Sequence, residues 1–257
     1  MLRRIWSNSS LGALAEVGLL FTPAVPAYLW LWPAVSGTRW LTSVQVGVYL
    51  YFLAGSLAIG LRRWSLSQVG LNRRGILLSL ACGLAFILGR TLVLLGTNLW
   101  TGFRPIAPLQ LAGDILYYIA AVGLAEELLF RGLIYHALET LRGPRLALWG
   151  SAVAFGLYHV GVGGAAGFVG GLVAGVVLGG IRWRAGGIVG LILVHGLIDV
   201  AAVEMAPLLT SWDFSSVQIP HPSLIALGYL VIGALLVYLW KLAPGAGRQC
   251  APSSHPD

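Results

Sequence analysis

Unbroken apolar runs dominate this 257-residue chain and set the narrowest limit on what it can become. Eight of them are legible: Leu11 to Trp32, Leu41 to Leu61, Ile76 to Gly96, Asp114 to Leu138, Leu146 to Val160, Gly164 to Ile181, Gly187 to Ala206 and Ser223 to Trp240. A helix needs about 20 such residues to cross the hydrocarbon core of a bilayer. A membrane barrel would instead show alternating segments of about ten residues, and no such alternation is present. Composition closes the other routes, because only 10% of the residues are charged and 58% are hydrophobic. Soluble domains carry roughly 25% charge, so this chain lacks the polar surface for a water-exposed globule, a disordered tail protein or a coiled coil. The expected fold is all-α: a polytopic membrane helix bundle of about eight transmembrane helices.

Charge placement tests that layout independently, since Lys and Arg collect in cytoplasmic loops. With the N-terminus inside, the inner segments hold Arg3, Arg4, Arg62, Arg63, Arg73, Arg74, Arg142, Arg145, Arg182, Arg184, Lys241 and Arg248, and the outer segments hold only Arg39 and Arg104. Both termini are therefore expected in the cytoplasm. The net charge of +7 is scattered between apolar runs, which points to lipid headgroups and away from nucleic acid. The chain divides into N-terminal spans at 1–62, a helix bundle at 63–206, an outer loop with the last helix at 207–242, and a Gly/Pro/Ser-rich polar tail at 243–257, expected to be disordered. Cys82 and Cys250 cannot form a disulfide framework. The sixth run repeats glycine at Gly163, Gly167, Gly171, Gly175 and Gly179, a bare stripe that suits close helix packing inside the bundle.

Ionisable side chains inside spans are costly and mark function by default. Three compact motifs stand out. In Glu126-Glu127-Leu128-Leu129-Phe130-Arg131, Glu127 and Arg131 stand four apart and can pair, while Glu126 points about 100° away. Phe155 and His159 form a second motif, and His195 and Asp199 a third at helical spacing. At 1.5 Å rise per residue, Glu126 and His159 lie roughly 20 Å and His195 roughly 15 Å from the cytoplasmic ends of their helices, so all three converge on one layer near the bilayer middle. Elsewhere, Glu16 and Glu204 read as packed or snorkelling groups, Arg90 as a snorkelling residue or a bundle-facing partner, and His136 and Glu139 as solvated boundary residues.

On Glu126, Glu127 and Arg131, on Phe155 and His159, and on His195 and Asp199, the chain resembles the CPBP intramembrane endopeptidases, a family that includes the CAAX prenyl endopeptidases. The resemblance extends over roughly residues 60 to 205, including the Val69-Gly70-Leu71-Asn72-Arg73-Arg74 stretch. It implies an intramembrane protease of glutamate type, in which Glu126 and His159 activate a water, His195 and Asp199 face the oxyanion, and Glu127, Arg131 and Phe155 support them. Some relatives carry asparagine at the position of Asp199. Either Asp199 is neutral in its apolar surroundings, or it accepts a hydrogen bond from His195. No cofactor is expected, with zinc on Glu126, His159, His195 and Asp199 as the rival arrangement, although no His-Glu-x-x-His helix is present. The implied substrate is a membrane-anchored or lipidated protein within the lipid bilayer. A non-catalytic immunity, scaffold or transport protein is the alternative of another class. One lysine among 16 basic residues suggests a GC-rich prokaryotic source and hence an inner (plasma) membrane location.

Overall fold

The computed structural model describes residues 9–26, 31–35, 37–38, 41–97, 107–205 and 221–241. The expectations for the outer loop and for the C-terminal tail fall outside the described residues, apart from His221, which is exposed. Every regular element among the described residues is helical. We number the principal helices α1 (Ser9–Pro26), α2 (Leu41–Arg63), α3 (Ile76–Gly96), α4 (Pro108–Arg142), α5 (144–162), α6 (Gly163–Ala185), α7 (Val189–Met205) and α8 (Pro222–Lys241), with a single turn at Trp32–Val35 between the first two.

Burial is inverted relative to a water-soluble protein. Leu77 is 82% and Leu109 85% exposed, whereas Glu127 and Arg131 are fully buried. A contiguous apolar exterior around a charged interior suits lipid as the surrounding solvent. Five helices, α2, α3, α4, α6 and α8, are long and apolar enough to cross a membrane, with shorter apolar stretches at Ser10–Pro23 and Val189–Ala202. The chain is an integral, multi-pass membrane protein. The eight expected runs each have a helix, but their lengths are unequal. Helix α4 starts at Pro108, six residues before the expected boundary, because Pro108 occupies the first helical turn, where a missing N–H costs nothing. Helix α7 has 17 residues, about 26 Å at 1.5 Å per residue, which falls short of a 30 Å core.

Between α5 and α6 the chain reverses at Gly163 (φ −145°) and Gly164 (φ 58°, ψ −137°). Gly164 occupies a region of backbone space that a side chain would strain. The reversal turns the glycine stripe inward onto α5, as its spacing suggested. A Cβ at Gly175 would lie 2.8 Å from the Cα of Ala152, and one at Gly171 would lie 2.9 Å from Cβ of His159. The stripe thus seats α6 directly behind the second motif.

Helix α4 is not a uniform α-helix. It widens into π turns at Tyr118–Gly123 and Glu127–Ile134, separated by a short α segment, Leu124–Glu126. Its first wide turn touches α7 with almost no side chain between them: a Cβ at Gly196 would fall 2.8 Å from the backbone of Ile119, and one at Gly123 would fall 2.7 Å from the carbonyl oxygen of Ile192. Glycine at both positions lets the two backbones meet. That approach brings His195 against the paired glutamates.

Candidate active site

Glu127 is the hub. One oxygen, Oε1, accepts from Arg131 Nη1 at 3.0 Å and lies 2.6 Å from His195 Nδ1. The pairing with Arg131 expected from the four-residue spacing forms, and both side chains are completely buried. The guanidinium also lies 4.1 Å from the centre of the Phe155 ring, a cation–π contact. Phe155 in turn packs edge-on to His195 at 5.7 Å and against His159 at 4.3 Å. One aromatic ring therefore touches the arginine and both imidazoles.

The other imidazole nitrogen of His195, Nε2, stands 3.5 Å from Glu126 Oε2 and 3.5 Å from Asp199 Oδ2. Both ring nitrogens face carboxylates. Glu126 is 4% exposed, and its Oε2 has no hydrogen-bond partner among the described residues. Burying such an acceptor without a partner costs about 1–3 kcal/mol. A carboxylate oxygen kept unsatisfied beside an imidazole is the arrangement general acid–base chemistry needs.

His159 Nδ1–H donates to the Phe155 carbonyl at 2.9 Å, which in the neutral ring leaves Nε2 with its lone pair. A cavity of about 100 Å³ opens beside it, lined among others by Phe155, His159, Gly171, His195 and Asp199. Glu126 is not among its lining residues. Three of the four residues expected to act thus share the cavity, and the fourth meets them through His195. Among the described residues, no group of three or more His, Cys, Asp or Glu side chains is arranged to hold a metal ion.

Several sequence readings need revision. Glu16, read as packed or snorkelling, is mostly buried and bridges Arg62 at 3.1 Å and Arg63 at 2.8 Å on α2, partners its sequence position did not name. The side chain of Glu204 lies outside the described residues. Arg90 is half-buried and within electrostatic reach of Asp199, the bundle-facing alternative. His136 and Glu139 are half-buried rather than solvated: the His136 ring packs edge-on to Trp64 at 4.9 Å, and Glu139 lies within electrostatic reach of Arg182. The contact between Glu127 and His195 was not anticipated, because 68 residues separate them and no local spacing announces it.

Fold and site together define a multi-pass helical membrane protein built around a buried cluster of acids and imidazoles. Residues 108–201 match the family model described as type II CAAX prenyl endopeptidase Rce1-like. The match covers all three motifs, so the resemblance read from them holds over the segment that carries them, and the family is one of peptidases. It is narrower than the stretch from 60 to 205 and leaves out Val69 to Arg74. That stretch still belongs to the same packing unit, since Ile188 N–H at the start of α7 donates to Gly70 O at 2.7 Å. No curated protein and no solved structure matches the chain.

Proposed function

We propose that the protein is an intramembrane endopeptidase of glutamate type that hydrolyses a peptide bond in a membrane-anchored or lipidated protein. The observation that carries this reading is the His195 ring, held at 2.6 Å by Glu127 and facing Glu126 at 3.5 Å on the wall of a small cavity. Support comes also from the peptidase family matched over residues 108–201. In this reading Glu126 takes a proton from a water that attacks the carbonyl carbon, with the free nitrogen of His159 steering the same water. Negative charge develops on the carbonyl oxygen, where His195, oriented by Glu127 and Asp199, donates to it. Glu126 then returns its proton to the departing amine, and the carbon–nitrogen bond breaks. No step requires a metal.

The reading places eight helices in a prokaryotic plasma membrane with both termini in the cytoplasm, following the loop charges. Its direct test is cleavage of an internally quenched, farnesylated peptide ending in a CAAX tetrapeptide by the protein in liposomes. Losing one general acid–base group costs about 10²–10⁴-fold in rate, and Glu126→Ala and His159→Ala are each expected to fall in that range. Wild-type turnover by both variants would end the protease reading. Comparative proteomics of a deletion strain, scored for membrane proteins that keep an uncut terminus, identifies the natural substrate.

A further inference from the structure

Arg182, in the last turn of α6, is a buried cation with no part in the reaction as described. It is 6% exposed. Glu139 of α4 is within its electrostatic reach, yet among the described residues no carboxylate forms an ion pair with it. Buried charges are ordinarily paired, so its contacts need an account. Its Nε–H donates to the carbonyl oxygen of Arg131 at 3.3 Å, and its guanidinium lies 5.6 Å from the centre of the Tyr135 ring. A Cβ on Gly70 would stand 2.9 Å from Nη2, so glycine there leaves room for the guanidinium. These contacts fall where the second wide turn of α4 closes. Tyr135 N–H bonds to Phe130 O, five residues back; in an α-helix it would bond to Arg131 O, four back. The carbonyl that Tyr135 gives up is the one Arg182 takes, from a different helix. The side chain of the same Arg131 donates to Glu127 at 3.0 Å, and Glu127 holds His195 at 2.6 Å. One residue thus meets Arg182 through its backbone and the site through its side chain.

We propose that Arg182 is a positioning residue: by holding the Arg131 carbonyl it keeps the turn Glu127–Ile134 wide, and thereby aims the Glu127 carboxylate that orients His195. This rests on the protease reading above. Without that donor, Arg131 O recaptures Tyr135 N–H and the turn tightens towards α geometry, which rotates Glu127 and Arg131 relative to His195 on α7. Misplacement of a reacting group by about 1 Å can cost about 10²-fold in rate. The competing account is a cation at a helix C-terminus, which stabilises α6 through its dipole. That account needs only the charge, and it predicts no change at His195.

The experiment compares Arg182→Gln, Arg182→Lys and Arg63→Gln, using the same farnesylated peptide in liposomes. Arg63 pairs with Glu16 at 2.8 Å and controls for the loss of a structural arginine. Arg182→Gln is expected to lower kcat about 10- to 100-fold with KM within about twofold, which marks an interaction made in the transition state. A readout free of turnover runs alongside in detergent micelles. The downfield proton resonance of the short His195 Nδ1–H bond to Glu127, assigned by its loss in Glu127→Gln, should shift in Arg182→Gln and stay in place in Arg63→Gln. An unmoved resonance in Arg182→Gln, or an equal shift in Arg63→Gln, overturns the proposal. So does Arg182→Gln turnover within about twofold of wild type while Glu126→Ala is inactive. Full turnover by Glu126→Ala instead overturns the protease reading, and the His195 resonance still reports whether Arg182 positions that ring. Should Arg182→Gln fail to fold, Arg182→Lys decides, since lysine keeps the charge at the helix end and drops the Nε–H: a shifted resonance with lowered kcat supports the proposal, and wild-type values of both overturn it.

Discussion

Removing the carboxylate of Glu127 separates what holds the bundle together from what the site does. In Glu127→Ala, Arg131 keeps its charge at zero exposure and loses its 3.0 Å partner, while the 2.6 Å contact to His195 Nδ1 disappears. Breaking one side of a buried ion pair costs about 3–5 kcal/mol, because the remaining charge stays desolvated. The Phe155 ring lies 4.1 Å from the guanidinium with or without Glu127, so that cation–π contact does not enter the difference. In a domain of this size each kcal/mol moves the midpoint by about 2–4 °C, so 3–5 kcal/mol corresponds to a drop of about 6–20 °C. The partner experiment is Glu127→Leu with Arg131→Met. Replacing a whole buried pair with apolar groups of similar size is often neutral or stabilising, so the double variant should recover most of that loss. Peptidase activity should not recover, because His195 has still lost the acceptor that orients it. Thermal unfolding in detergent, followed by tryptophan fluorescence, gives the first quantity and peptide cleavage the second. A Glu127→Ala midpoint within about 1 °C of wild type, against the 6–20 °C expected, would refute the buried hub.

Other outcomes follow from the same geometry. Asp199→Asn should keep cleavage within about tenfold, since an amide oxygen can face His195 Nε2 across the same 3.5 Å and one ordinary hydrogen bond is worth about 0.5–1.5 kcal/mol; a loss of three decades would show that the charge itself is needed. Gly171→Val places a branched side chain where even a Cβ stands 2.9 Å from His159, and overpacking of this kind costs about 1–3 kcal/mol. Its effect should appear as lost cleavage with only a modest fall in melting temperature, and unchanged cleavage would contradict the seating of His159 on the stripe. Chelation with phenanthroline should leave the rate unchanged, because no step of the proposed reaction uses a metal; inhibition reversed by zinc would establish a metal mechanism.

Local spacing made the Glu127–Arg131 pair legible in the sequence, because residues four apart share a helix face whatever surrounds them. The glycine stripe was legible for the same reason. The limits of such reading show at Glu16, whose partners Arg62 and Arg63 sit on the next helix, and at His195, whose partner Glu127 lies on a helix three elements earlier. Those contacts depend on which backbones meet. The decisive meeting, Gly123 and Gly196 across α4 and α7, was present in the sequence only as two glycines among 35. Run length foretold where helices form, but not that α4 would widen into π turns, which owe more to packing than to composition.

Those wide turns also bear on how the chain tolerates change. A π turn closes its hydrogen bonds from i to i+5 and so holds more residues per turn than an α-helix. The segment Glu127–Ile134 therefore carries slack that an α-helical segment of the same rise lacks. Deleting Leu128 or Leu129 from it lets the turn tighten to α geometry, with the flanking helix keeping its angular register and the span still long enough to insert. The four-residue step from Glu127 to Arg131 would become three, and the guanidinium would leave its place over Phe155. Most single-residue deletions in a transmembrane helix rotate everything downstream by about 100°. Here the bilayer would accept the shortened chain, and only the register of the charged pair would record the missing residue.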